Sequence, residues 1–277
     1  MRKTRAEATQ PAKASRRRSY RNKKPPDSNR DVFINCPFDD AYKPIFNGIV
    51  FTIVRSGFVA RCALETDDGS DIRFQKICSI IDESGYGIHD ISRTELDAVN
   101  SLPRFNMPLE LGLFLGANRF GSKPKRCIIF DIERYRFAKF ISDIAGQDIH
   151  EHKGRVDAVI IEVATWLRQQ SRDTRVPGGK AIASEYTAFC KRLPVICKTS
   201  KITEAELTFG EFNLIVADYI TKGGATGKVP AGGAAMITLP TPRPPRPQAA
   251  RPTKAKGKPR VATVAKPKSA RRSRRKK

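Results

Sequence analysis

The chain is poor in the residues that most directly announce chemistry. It has three histidines (His89, His150, His152) and six cysteines (Cys36, Cys62, Cys78, Cys127, Cys190, Cys197), none of them in a CxxC pair. A zinc centre has little to build on, and no metal is expected. No GxGxxG follows the first apolar segment and no GxxxxGK[ST] occurs. A hydride-transferring dinucleotide enzyme and a P-loop NTPase are both disfavoured. The longest apolar run near the start, "IFNGIVFTIV" (45–54), is about half of a membrane-spanning helix, so no membrane partner is expected. The basic N-terminus leads into more charge and not into an apolar stretch, which argues against a signal peptide. Most cysteines sit in apolar runs and read as reduced, buried thiols of a cytoplasmic protein.

Acidic residues are missing from 238–277, a segment with 15 Lys and Arg; residues 1–30 carry 11 Lys and Arg against 2 acids. These two ends account for the whole formal charge of +24, and the body between them is balanced. Body and ends therefore need separate explanations. The ends lack apolar periodicity and the second is rich in proline, so both are expected to be disordered. With no aromatic residue in 238–277, the expected contact is nonspecific, salt-sensitive binding to nucleic-acid backbones without base stacking. The domain reading is a basic arm over 1–30, an α/β domain over 31–170, a helical extension over 171–222 and a Gly-rich, then Pro/Lys/Arg-rich tail over 223–277.

The body alternates apolar strands with amphipathic helices. "DVFINC", "FVARCAL", "GYGIHDIS" and "KRCIIFD" read as strands. Helices are expected over 39–57, 72–84, around Glu110, near 134–145 and over 155–170. Further helices fall in "SEYTAFCKRL" and "ITEAELTFGEFNLIVADYI". This order implies right-handed crossovers and a doubly wound parallel sheet of about five strands with helices on both faces. Ligands of such sheets bind beyond the carboxyl ends of the strands. Those ends carry "NCPFDD", "ETDDG" and "HDISR".

One residue breaks the apolar pattern. In "LPRFNMPLELGLFLG" (102–116), Glu110 is the only charge between Met107 and Ala117. A carboxylate inside an apolar stretch finds a partner, shifts its pKa or does chemistry. The plain reading makes it a helix-start residue near Arg104, favoured by the helix dipole, with Pro108 in the first turn. Gly112 and Gly116 strip one helix face of side chains; close packing is the favoured reason, room for a ligand the other. Asp90 and Ser92 close a strand, and Asp90 reads equally as a turn cap or a ribose-hydroxyl ligand. Phe38 reads as core first, and as a platform for a base second. His89 points away from Asp90 by strand alternation and reads as structural. Cys36 has no histidine placed to activate it.

The segments "VFINCPFDD", "DIS", "FNMPLELGLFLGA" and "KRCIIF", over roughly 31–131, together resemble bacterial TIR-like domain proteins. They also resemble the nucleoside deoxyribosyltransferase-like fold, within the broader flavodoxin-like group. The resemblance implies that Glu110 is catalytic on an N-glycosidic bond, with NAD as substrate and no cofactor. It implies substrate binding by Asn35, Phe38, Asp90, Ser92 and Asn106, self-association, and a place in a stress or antiphage response. The alternatives are a deoxyribosyltransferase or nucleotide N-glycosidase, in which Glu110 is the covalent nucleophile, and a non-catalytic module for nucleotide sensing or protein interaction. The acidic loop "ETDDGSD" departs from what a pyrophosphate needs, unless Arg73 or Arg93 offsets it.

Overall fold

A computed structural model of the chain describes residues 29–65, 69, 72–96 and 101–223. Both basic ends, the glycine-rich linker and most of the acidic loop lie outside these residues. The described strands are β1 (Asp31–Asn35), β2 (Val59–Cys62), β3 (Tyr86–Asp90), β4 (Arg126–Asp131) and β5 (Ile149–Glu151). They form one parallel sheet in the order β2-β1-β3-β4-β5. The helices are α1 (Lys43–Arg55), α2 (Arg73–Glu83), α3 (Asn106–Phe120), α4 (Val156–Ser171), α5 (Gly179–Thr199) and α6 (Phe209–Thr221). The doubly wound α/β architecture expected from the alternation is the one observed.

Strand alternation sorts the side chains. Val32, Ile34, Ile88, Ile128 and Phe130 join α1, α4, α5 and α6 in one large core. Phe33 meets Ile77, Ile80 and Ile81 of α2 and Phe114 of α3 on the opposite face. The fully buried Ile49, Phe51 and Ile53 make α1 the central helix of the larger core, each contributing about 1.5–3 kcal/mol by leaving water. Where α2 ends, Lys125 satisfies its last carbonyls. Its buried Nζ donates to the oxygens of Ile81 (2.5 Å), Asp82 (3.1 Å) and Ser84 (2.6 Å). A cation at a helix C-terminus is favoured by both charge and hydrogen bonding.

Three local expectations need correction. The helix anticipated near 134–145 is two short 3-10 turns, Arg136–Lys139 and Ser142–Ile144. Tyr135 takes φ +62° just before them, and Arg136 is drawn to the Asp131 carboxylate and the Ile91 carbonyl, which bends the chain. The edge strand β5 was not foreseen, because three residues carry no readable period. Finally, α6 starts late: a reciprocal capping box between Thr208 and Glu211 sets its N-terminus, leaving 203–207 outside it. Among the described residues, no helix is long and apolar enough to cross a membrane.

Candidate functional site

The carboxyl ends of β1 and β3 lie side by side at the centre of the sheet, where the winding reverses between β1 and β3. Asn35 closes β1 with its side chain on the α3 face, buried. Its amide nitrogen reaches the Met107 carbonyl oxygen at 2.8 Å and His89 Nδ1 at 3.1 Å. Both amide hydrogens are thereby used. His89 Nδ1 acts as acceptor, which assigns the ring proton to Nε2. Nε2 is buried without a partner among the described residues. Burial lowers the His89 pKa to about 3, so the ring is neutral. It packs edge-on against Phe114 and Phe33, away from Asp90 as alternation requires.

Asp90 faces the α1 side and is fully buried. Its Oδ1 accepts from the Ser92 backbone N–H at 2.8 Å, a side-chain-to-backbone turn closing the strand. Its Oδ2 accepts from the Tyr42 hydroxyl at 2.5 Å. His152 Nε2 is 3.1 Å from the same oxygen but not aligned as a hydrogen bond, and its Nδ1 accepts from the Gly154 N–H. Burial, then the Asp90 charge, pushes the Tyr42 phenol well above its ordinary range. With both oxygens engaged, Asp90 has the turn-capping geometry. A ribose hydroxyl would have to displace Tyr42 or Ser92 from it. The buried Ser92 contributes its backbone N–H.

Glu110 is the fifth residue of α3, not a first-turn residue as the position of Pro108 had suggested. Proline is tolerated throughout the first turn, so it did not fix the start; Asn106 is the first helical residue. The helix dipole falls off within that turn, so it does not explain the carboxylate. Glu110 is half-buried, with no hydrogen bond or ion pair among the described residues. Burial raises its pKa to about 7, and the Arg73 charge opposes the rise. Cys36, buried at the turn after β1, feels both carboxylates. Burial first, then the Asp90 charge and, more weakly, the Glu110 charge raise its thiol pKa well above normal. A protonated thiol there is not a nucleophile.

Phe38 is 40% exposed and meets Phe46 edge-on at 5.4 Å between ring centres, so the core reading fails. Asn106 is exposed at the head of α3. The packing reading of Gly112 and Gly116 fails too: a Cβ at either would meet nothing within 4 Å. The structure thus gathers Asn35, Asn106 and Glu110 about the start of α3. Asp90 and Ser92 lie behind them on the other side of the sheet. Sequence reasoning missed Tyr42 and His152. It also missed Asp131, whose Oδ1 holds Arg136 at 2.8 Å while Oδ2 is buried without a partner among the described residues. Asp131 had a signal, an acid closing an apolar strand; His152 had none without β5. Among the described residues, no cluster of three or more His, Cys, Asp or Glu is placed to hold a metal ion.

Sheet order and site together define a doubly wound α/β protein with a solitary raised-pKa glutamate at its switch point. No protein-family model and no curated protein matches the chain. Among solved structures it is similar to the TIR domains of the activated Roq1 resistosome directly recognising the pathogen effector XopQ. The TM-score is 0.30 and the identity 13%, over 71% of this chain and 86% of that one.

Proposed function

We propose that the α/β body is a TIR-like domain that cleaves an N-glycosidic bond, with NAD the leading substrate and Glu110 the catalytic group. The observation that carries the reading is Glu110 itself: half-buried, without a hydrogen bond or ion pair among the described residues, and with its pKa raised by burial to about 7, beside the switch point where such folds take ligands. A protein stabilises no fold by leaving a carboxylate so placed. In the proposed reaction the bond from C1′ of the ribose to the nicotinamide nitrogen breaks and its electron pair leaves with the base. Positive charge grows on the sugar, and the Glu110 anion stabilises it. Water then adds at C1′ and releases a proton, giving nicotinamide and ADP-ribose. Asn106 and Phe38, both exposed near this edge, would bind sugar and base. Asn35 would act by holding the start of α3, and Asp90 and Ser92 by shaping the floor.

On this reading the body spans 31–170 with a helical extension to 222, and activity needs self-association. The basic ends contact nucleic acid without sequence preference, and a stress or antiphage role fits such an enzyme. A second reading, a nucleotide-sensing or protein-interaction module, is favoured by one observation: both Asp90 oxygens are already engaged. The test is nicotinamide release from NAD, followed by chromatography at high protein concentration, beside nucleoside substrates. Turnover that disappears in Glu110→Gln supports the enzyme. Turnover of nucleosides alone favours the transferase alternative. No turnover of any substrate by folded wild-type protein leaves the binding module.

A further inference from the structure

The outward side of α3 is unlike the other helix surfaces. Phe105, Leu109, Gly112, Gly116 and Phe120 follow one another at helical spacing and fall on a single stripe opposite the buried Met107, Leu111 and Phe114. Phe105 is 62%, Leu109 53% and Phe120 87% exposed. The stripe continues to the exposed Leu102 and to Leu96, which bridges to Pro103 just ahead of the helix. The two glycines form an open notch in its middle.

We propose that this stripe is a two-fold, antiparallel α3–α3 interface between two copies of the chain. The order of residues argues for a second copy. An antiparallel pairing with its axis beside Gly112 sets Leu109 of one copy over the Gly116 notch of the other. It also brings Phe105 against the opposing Phe120. Large meets small at Leu109 and Gly116 and ring meets ring at Phe105 and Phe120, so the surface is complementary to itself, as a two-fold interface must be. The glycines let the helix backbones approach closely. The exposed side chains offer on the order of 600 Å² of apolar surface per copy, enough for a pair of copies to clear the roughly 1,000 Å² expected of a specific interface. A patch of that size lies at the top of the range that monomers expose, where such patches are often functional. The proposal does not depend on the function proposed above.

The test is sedimentation velocity of the full chain in ~0.3 M salt, where long-range charge effects are screened. Wild-type protein should be mainly dimeric at about 50 µM, and Leu109→Arg should be monomeric at the same concentration, a shift of at least tenfold in Kd. Leu109 is exposed, so the variant should keep its circular dichroism and its Tm. Geometry is checked separately by cross-linking in a Cys190→Ser background. Gly112→Cys, beside the axis, should join its own copy under mild oxidation, and Phe105→Cys should not. A wild-type monomer at every concentration would overturn the proposal, and the stripe would then cover another segment of the chain or a different protein. A Leu109→Arg dimer would overturn it as well, by placing the contact on another face.

Discussion

Asn35 binds the Met107 carbonyl oxygen at 2.8 Å, so the end of β1 is fastened to the first turn of α3, three residues before Glu110. The same amide supplies the only bond that His89 makes through its ring nitrogens among the described residues. Replacing Asn35 by Ala leaves both nitrogens of a buried ring without partners. The expected cost is about 1–3 kcal/mol, read by urea denaturation. On the proposed function, glycosidic-bond cleavage should fall as well, because α3 loses its tether. A variant as stable as wild type would show that helix packing alone fixes the start of α3.

On the proposed function, Glu110 ties activity and stability to pH in opposite directions. In the unfolded chain its carboxyl titrates near 4.5, in the fold near 7. Below pH 4.5 it is protonated in both states and costs nothing. Between 4.5 and 7 the unfolded state ionises first, and the fold loses stability as pH rises. Above 7 the full penalty stands. Glu110→Gln should therefore raise stability at pH 8 by about 1–2 kcal/mol, allowing for solvent screening of a half-exposed group, and leave it unchanged at pH 4. Thermal melts at the two pH values check this. The cleavage rate should do the reverse, rising through an inflection near pH 7 as the anion forms. An equal Tm for both proteins at pH 8 would mean that the carboxylate is well solvated.

The glycines predict opposite signs. A Cβ on Gly87 in β3 would come within 2.7 Å of His89 Nε2 and 2.8 Å of the Phe114 ring, in a packed interior. Gly87→Ala should cost about 1–3 kcal/mol. Gly112→Ala and Gly116→Ala meet open space and remove helix-interior glycines. Each should stabilise the isolated fold by up to about 1 kcal/mol. Denaturant midpoints for the three variants give the comparison. Destabilisation by Gly112→Ala in a dilute sample would contradict the open notch.

The architecture was legible because its strands are short apolar runs and its helices show one apolar face, signals that each segment carries alone. "DVFINC" and "KRCIIFD" announce buried parallel strands, and the Ile residues of 72–84 announce a helix lying on a sheet. Glu110 was legible as a solitary charge. Its place in the second turn was not, since proline marks a first turn without marking its first residue. The Tyr42–Asp90–His152 group was illegible for a different reason. Tyr42 is 48 residues from Asp90 in the chain, and His152 reaches it only through β5, an edge strand too short to announce itself. Exposure was also unreadable: Phe38 and Leu109 are both apolar, and only packing shows that water touches them.

The two faces of the sheet are covered to different depths. On one, α5 and α6 lie over α1 and α4, two layers deep; on the other, α2, α3 and the two 3-10 turns, whose Phe137 packs on Met107 and Leu111, make a single layer. Amide protons of α1 should therefore exchange with deuterium only on global unfolding. Those of α2 and α3 can exchange through partial opening at lower free energy. The helix that carries Glu110 should then exchange more readily than α1, and a partner or ligand that closes over it would register first as slowed exchange along 106–120.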